Sequence, residues 1–431
     1  MSRLLPLLVC LLCSGLVPVL ADEKDALDVE ALLADDDLLD ALLYGDAELS
    51  EETESVSALW NVENRLLLGG GYKKNALFSA FSQEDSAFTL TEWETTVFRL
   101  GQPTDWKFLG YVLVENRHYA DVDGLDNEWL GIALAQVDKL LGHGWQVGVA
   151  GQYMYLEQAF SLEFEELDLG QTNITLHQFA VTPRAEVKLT DRTTWGFRLP
   201  VTFNRFQDSD QNYDEVGIVS DLRMFLTDKL KLRLSYGYEW RDYADRLERD
   251  RVGASIPGKE LSWGEHQIAL GVEANLDEAK RWRSKTGLRF RFVEDSGSGY
   301  NDFAMTSVTQ SLTYQRDRWS IALNGSYTHY DYPVQTKEVG DTNHRYRARF
   351  GLGLDAKRKF GEAWEGLARY GFESYLSNVP DDQYDVHVFT LGLHHTFRSA
   401  DRDESLFLHR AKLTCSPSAS LSSCLRSLQS C

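Results

Sequence analysis

The most constraining feature of this sequence is a period-two alternation of apolar and polar residues that recurs between Trp60 and Phe397. From Leu230 to Trp240, every even position is apolar or aromatic, and every odd position is polar, charged or Gly. Alternate side chains of a β-strand point to opposite faces, so this pattern indicates a strand with one apolar face. Because the pattern recurs throughout, we predict an all-β fold.

Sixteen segments follow the pattern, and each is long enough to cross a bilayer as a tilted strand, which takes about 9–11 residues. They lie at 62–72, 87–100, 106–117, 128–141, 145–157, 176–189, 193–206, 215–226, 230–241, 263–276, 281–293, 302–315, 319–331, 344–358, 363–376 and 384–397. The alternation is irregular in the first four segments, which leaves fourteen strands as an alternative. Pro183 and Pro200 fall inside the sixth and seventh segments, where each removes a ladder hydrogen bond.

The connections between these segments alternate in length. The connections after even-numbered segments are short, as at 142–144 and 227–229, whereas most of the others are longer and polar, as at 158–175 and 242–262. Bacterial outer-membrane barrels have short periplasmic turns and long extracellular loops. We therefore predict a transmembrane antiparallel up-and-down β-barrel in the bacterial cell outer membrane.

Aromatic residues support this orientation of the strands. Six segments that follow short turns open with a tryptophan, and we assign these residues to the membrane interface: Trp106, Trp145, Trp195, Trp282, Trp319 and Trp364. Tyrosines accumulate toward the other end of the segments: Tyr153, Tyr155, Tyr236, Tyr238, Tyr330, Tyr332 and Tyr375. Trp and Tyr concentrate at membrane–water interfaces, so the pattern predicts two aromatic girdles. The alternative is that Trp simply begins strands of a soluble β-core.

The chain resembles the porin-like class of Gram-negative outer-membrane β-barrels over residues 60–397, without motifs that select one family within it. The resemblance implies that the last strand ends in an aromatic residue that the barrel-insertion machinery recognises. Phe397 matches that signal, although 34 residues follow it here.

The flanking segments differ in composition from the barrel region. Residues 1–21 have a basic start, an apolar stretch and small residues before the expected cleavage, which predicts a signal peptide rather than a retained anchor helix. Residues 22–59 are strongly acidic, and Leu32, Leu39 and Leu43 follow a helical spacing, which predicts a partly helical or disordered periplasmic segment. Residues 398–431 form a tail rich in Ser, Leu and Cys.

One wall of the predicted lumen is basic if the apolar face of each strand contacts lipid. The pore-lining candidates are Arg233, Arg289, Arg291, Arg345, Arg347 and Arg349. Rings of Arg or Lys favour anions, so these residues are consistent with an anion-favouring pore. The alternative, which we favour slightly, is that they form ion pairs with inward acids such as Glu273, Asp355 and Glu373 and fill the barrel.

Several other functions receive little support. The net charge of −22 argues against a nucleic-acid partner. The outer loops carry acidic groups around residues 121–128, 163–168 and 381–385, which are either solvated or bind cations that bridge lipopolysaccharide. We find no catalytic motif, cofactor motif or metal-binding pattern, and we therefore predict no catalytic residue, no cofactor and no metal site.

Three functions remain as hypotheses. The first is a porin-like channel for small solutes with an anion bias. The second is a non-channel barrel that acts in secretion, surface assembly or adhesion. The third is an outer-membrane enzyme, which we consider the weakest. The partners expected are outer-membrane lipid, lipopolysaccharide and the barrel-insertion machinery, with small solutes under the first hypothesis.

Overall fold

A computed structural model describes residues 59–78, 84–100, 106–122, 124–159, 173–337 and 342–398. The strands are Leu59–Lys74 (β1), Ser86–Leu100 (β2), Trp106–Tyr119 (β3), Asn127–Gly142 (β4), Trp145–Ala159 (β5), Asn173–Thr190 (β6), Thr193–Arg198 (β7), Val201–Phe206 (β8), Tyr213–Thr227 (β9), Leu230–Arg249 (β10), Ser255–Asn275 (β11), Trp282–Asp295 (β12), Phe303–Arg316 (β13), Trp319–Thr336 (β14), His344–Lys359 (β15), Trp364–Ser377 (β16) and Tyr384–Arg398 (β17). Each predicted segment corresponds to one strand or, at 193–206, to the pair β7 and β8.

The strands form one closed antiparallel barrel. Each strand pairs with its sequence neighbours, except that β7 and β8 both pair with β6 and β9. The barrel closes where β1 pairs with β17, from Glu63↔Arg398 to Lys74↔His387. Since β7 and β8 are two halves of one membrane-crossing strand between β6 and β9, the barrel has sixteen strands. The alternative of fourteen strands is wrong.

The break between β7 and β8 has its cause in Pro200. Pro183 lies on β6, diagonally opposite Pro200. Pro183 removes a donor from the ladder between β6 and the β7–β8 strand, and Pro200 removes one from the ladder between that strand and β9. Their carbonyl groups still accept hydrogen bonds, from the Leu199 N–H at 3.0 Å and from the Gly217 N–H at 2.8 Å. The prolines therefore interrupt the strand without opening the barrel wall.

Short turns join the strands at one end, which we call periplasmic. His143 and Asp317 adopt positive φ angles of about 50° in two of these turns, as tight hairpins require. Among the described residues, no helix is long and apolar enough to cross a membrane. The described helical segments are the single turns Ser209–Gln211 and Pro380–Asp382, both in outer loops.

Side chains alternate between the exterior and the lumen along every strand, but the inward face is not uniformly polar. On β4, Leu130, Ile132 and Leu134 point inward and are buried, whereas Gly131 and Ala133 face outward. Our assumption that the apolar face contacts lipid is therefore wrong for this strand. Small outward residues beside large inward ones also explain why the alternation is irregular here.

Candidate functional site

The six arginines predicted to line the lumen all lie on inward positions. Arg233 is on β10, Arg289 and Arg291 are on β12, and the remaining three alternate along the outer half of β15. They therefore share one side of the barrel.

Most of these arginines are held in ion pairs. The guanidinium of Arg291 donates two hydrogen bonds of 2.7 Å to Glu265 on β11. The Arg349 guanidinium donates to Glu373 at 2.9 Å, and that of Arg233 donates to Asp221 at 3.1 Å. Arg283 and Arg369 extend the pattern by pairing with the predicted acids Glu273 and Asp355. This pairing favours the barrel-filling interpretation of these five arginines.

Six buried or largely buried ion pairs lie inside the barrel near the outer ends of the strands, one of them through Asp382 of the β16–β17 loop. We call them the outer collar: Lys73–Glu128, Arg117–Glu115, Arg241–Glu215, Arg291–Glu265, Arg347–Asp382 and Arg349–Glu373, with N···O distances of 2.7–3.1 Å. Each pair combines one cation with one carboxylate, so the collar adds no net charge to the lumen.

Aromatic rings pack against the collar cations. The Lys73 ammonium lies 4.2 Å from the Phe78 ring centroid, and the Arg241 guanidinium lies 4.2 Å from that of Tyr213 and 4.9 Å from that of Trp263. Cation–π contacts of this kind strengthen when both groups leave water. Such contacts fix the collar side chains in place and narrow the lumen.

Buried apolar side chains surround the collar. One cluster on β10–β14 includes Trp263, Val293, Phe303 and Met305. Another cluster on β4–β8 includes Met154 and other buried apolar side chains. These residues are inward-facing and lie in the outer half of the barrel. The outer half of the lumen is therefore lined largely by buried side chains.

The periplasmic half of the lumen differs on β11–β14. We call its inward side chains Glu273, Lys285, Thr309, Ser311 and Asn324 the polar wall. Thr309 is exposed and the other four are only partly buried. Since these side chains point into the barrel, their exposure indicates a water-accessible space on this side of the lumen.

Acidic loop residues that the sequence singled out do not gather at one place. Glu128 pairs with Lys73, and Asp382 accepts hydrogen bonds from Arg345 at 2.8 Å and from Arg347 at 3.1 Å. Asp123 and residues 163–168 lie outside the described part of the chain. Within the described ranges, no group of three or more His, Cys, Asp or Glu side chains is placed to hold a metal ion.

Asp382 lies in the outer loop between β16 and β17. Burial raises the pKa of Asp382, but the positive charges of Arg347 and Arg345 outweigh this effect, and the net pKa lies below its ordinary value of 3.8. A depressed carboxyl pKa contributes stability above the ordinary pKa, and this contribution is lost as pH falls through the folded value.

We expect acid to loosen this loop locally. Below about pH 3.8, amide hydrogen exchange at residues 378–383 should accelerate more than at the other described outer loops. In D382N, exchange at the loop should already be fast at pH 7 and should change less on acidification. Equal pH dependence in D382N and the wild type would show that another group controls the loop.

All six predicted interface tryptophans lie on the exterior at the periplasmic ends of their strands. They are Trp106, Trp145, Trp195, Trp282, Trp319 and Trp364, and 40–50% of each side chain is exposed. Trp60 at the start of β1 joins the same ring, and the sequence pattern missed it because no short turn precedes it. Their contact with the membrane interface remains a prediction.

The predicted girdle of outward-facing tyrosines is partly wrong. Tyr153 and Tyr236 face outward and are exposed, whereas Tyr332 and Tyr375 are buried in the lumen, and Tyr330 also points inward. The exterior of the outer half is completed instead by other aromatic residues such as Phe179, Phe203, Phe290 and Tyr346. Phe397 lies on the exterior near the end of β17, and its role as an insertion signal remains a prediction.

Comparison with known proteins gives structural similarity only. No known protein family matches the sequence, and no curated protein matches it either. Among solved structures, Acinetobacter baumannii OccAB1 is similar with a TM-score of 0.45 and 9% identity, over 81% of this chain and 100% of that one. Pseudomonas aeruginosa OprD is similar with a TM-score of 0.41 and 13% identity, over 82% and 100%. A bacterial polysaccharide outer membrane secretin has a TM-score of 0.43 and 10% identity, over 80% and 99%.

The architecture itself establishes the class of the protein. A closed antiparallel barrel leaves no unpaired strand edge, its exterior carries exposed apolar side chains, and tryptophans ring one end. Charged side chains are concentrated on the inward face. The chain is a bacterial outer-membrane β-barrel of porin-like architecture.

Proposed function

We propose that this barrel is a channel for small solutes, and that the solutes pass along the polar wall. The observation that carries the proposal is the water accessibility of inward polar side chains, with Thr309 as the most exposed of them. A sixteen-stranded barrel is wide enough to enclose an aqueous channel. A lumen filled throughout by packed side chains would instead bury this wall.

We also propose an anion bias, although its source differs from the one that the sequence suggested. The outer collar is electrically balanced, so Arg291, Arg347 and Arg349 contribute little net charge. In contrast, the periplasmic part of β9–β12 carries two inward carboxylates, Asp221 and Glu273, which pair with Arg233 and Arg283. The inward positions of β10 and β12 add three further cations, Lys231, Lys285 and Arg289. The excess of cations favours anions in that part of the lumen.

We expect K285Q/R289Q to reduce the anion preference by roughly two- to fourfold. A charge about 10 Å from the ion path changes the ion's energy by ~0.4 kcal/mol in water, which is about a factor of two for each charge. The measurement is the reversal potential of single channels in a salt gradient. The matched control is K280Q/R318Q, which removes the same charge from exposed periplasmic turn residues.

The control variant should keep the reversal potential of the wild type. If the lumen variant also keeps it, the proposed source of anion selectivity is wrong, while a channel remains supported by the openings themselves. A reversal potential that moves in both variants would point to the surface charge of the periplasmic mouth instead.

One observation favours the second candidate, a non-channel barrel in secretion, surface assembly or adhesion. The collar and its apolar clusters bury most of the inward side chains in the outer half of the lumen. A narrow outer mouth restricts free passage and leaves the outer loops as the functional surface. A folded protein that conducts no ions would support this candidate.

A further inference from the structure

An outward-facing contact between tyrosine and histidine occurs three times between neighbouring strands. The Tyr hydroxyl lies 2.9–3.0 Å from Nδ1 of a His on the next strand: Tyr153 with His177, Tyr236 with His266, and Tyr370 with His387. These pairs lie on β5–β6, β10–β11 and β16–β17, so they are spread around the barrel.

A second ring holds each imidazole from the other side. The residue two positions after each Tyr contacts the same His, with centroid separations of 5.1 Å for Tyr155, 4.8 Å for Tyr238 and 4.8 Å for Phe372. The repeated geometry is therefore a triad of two aromatic rings and one imidazole.

The hydrogen bond to Nδ1 determines what the imidazole presents outward. A phenol O–H is the natural donor to a neutral imidazole, and it leaves the proton of the imidazole on Nε2. Within the described part of the chain, no hydrogen bond uses the Nε2 atom of His177, His266 or His387. Each triad therefore presents an N–H donor at the barrel exterior.

The triads lie about one membrane thickness from the periplasmic tryptophans. Tyr155 follows Trp145 by ten residues, and Phe372 follows Trp364 by eight. A tilted strand crosses the bilayer in about 9–11 residues. His177 lies opposite Tyr155 and therefore reaches the level of the outer-leaflet headgroups. His387 lies opposite Phe372, about one residue short of that span, at the outer edge of the hydrocarbon region.

Two triads have a basic neighbour in the next strand, and one does not. Register places Lys74 opposite His387 and Arg205 opposite His177, whereas Phe292 lies opposite His266. Side chains directly opposite in an antiparallel pair have Cβ atoms about 4.5–5.5 Å apart. Two of the triads therefore combine an imidazole with a cation.

The two basic neighbours differ in their own partners. Arg205 pairs with the exposed carboxylate of Asp214 at 2.6 Å and also donates to backbone carbonyls. Lys74 is exposed, and the described residues include no ion-pair partner for it. Asp385 lies on the same face as His387, two residues nearer the outer loop.

We propose that Lys74 and His387 bind the phosphate of a phosphorylated lipid headgroup in the outer leaflet. Lys74 supplies the charge, and His387 supplies an oriented N–H donor from Nε2. Tyr370 and Phe372 position the imidazole. His177 and Arg205 form a weaker second site, because Asp214 competes for the guanidinium.

The test is a titration of the full-length barrel in detergent with diphosphorylated lipid A, followed by native mass spectrometry. K74Q/H387Q should weaken binding roughly tenfold or more, since it removes a charge-assisted contact and an oriented donor to phosphate. H266Q is the matched control, because it alters another triad of the same kind that has no cationic neighbour. It should change binding less than twofold. Heat-modifiable migration in SDS confirms that each variant is folded.

Any one of four results would overturn the proposal. The wild type could bind dephosphorylated lipid equally well, K74Q/H387Q could retain the affinity of the wild type, or H266Q could lose as much as K74Q/H387Q. A change in oligomeric state without a change in bound lipid would also overturn it, and would assign this face to contact with a second copy of the chain.

Discussion

Glu265→Ala is expected to destabilise the folded barrel by about 3–5 kcal/mol, which is the usual cost of leaving one partner of a buried ion pair uncompensated. Glu265 accepts both hydrogen bonds of the Arg291 fork, and each side chain is only 7% exposed. Removal of the carboxylate leaves the buried Arg291 guanidinium without the two hydrogen bonds of this fork. The measurement is the free energy of unfolding in urea, in lipid or detergent.

Two further variants identify the cause of this loss. Removal of both charges in R291M/E265L should recover much of the stability, because well-packed apolar residues often replace a buried pair at little cost. Glu273→Ala breaks a looser pair with Arg283, whose N···O distance is 3.4 Å and whose side chains are 41% and 27% exposed. We expect it to cost less than about 1 kcal/mol. A cost for Glu273→Ala equal to that of Glu265→Ala would contradict this account of the collar.

The second large effect is expected at the seam where the barrel closes. Gly71 on β1 faces inward, and a Cβ atom there would collide with the Phe389 carbonyl oxygen of β17 and lie 2.6 Å from the Phe88 ring. Gly71→Val should therefore cost more than the ~1–3 kcal/mol typical of overpacking, because a backbone atom of the partner strand must move. We expect most of the protein to lose the heat-modifiable folded band in SDS.

Gly325→Val is the matched control for this substitution. Gly325 lies on β14, and a Cβ atom there would have no atom within 4 Å. The folded fraction should stay at the level of the wild type. If Gly71→Val also folds normally, the close approach of β1 and β17 is not required for closure.

The strands were predictable because their cause is local. Alternation depends on residues two apart, and Pro, Gly and polar turns mark the ends. For example, the segment predicted at 344–358 is the strand His344–Lys359, and the segment at 319–331 is the first part of Trp319–Thr336. The extra length of β14 is residues 332–336, where Pro333 interrupts the alternation of apolar and polar residues. The run of Gly69, Gly70 and Gly71 lies within β1 rather than at its end.

The interior was less predictable because its contacts join distant parts of the chain. Lys73 and Glu128 are separated by two intervening strands and by 55 residues, yet they form a buried pair at 3.1 Å. The sequence showed that inward acids and bases exist, but not which ones meet. The inward direction of Tyr332 and Tyr375 was also hidden, because an apolar or aromatic residue near the outer rim packs equally well inside a narrow lumen.

The triads with histidine left a signal that we did not use. In each triad, the first strand contains Tyr-x-Tyr or Tyr-x-Phe, beginning at Tyr153, Tyr236 or Tyr370. The next strand along the chain supplies a histidine in register. Pairing between neighbouring strands has to be known before this recurrence is visible. A hairpin alignment of the sequence would have revealed it.

The structure divides the lumen into two parts with different tasks. The outer collar is neutral, buried and rich in aromatic contacts, so it supplies rigidity and limits the opening. The polar wall below it is accessible to water and lies beside an excess of cations. We therefore propose that solute passage and charge preference depend on the polar wall, whereas stability depends on the collar.

Single-channel recording in a planar bilayer with a salt gradient tests the central claim most directly. We predict stable openings and a reversal potential whose sign indicates a preference for anions. A protein that migrates as a folded, heat-modifiable barrel but gives no openings would contradict the channel, and would transfer the function to the outer loops and the barrel exterior.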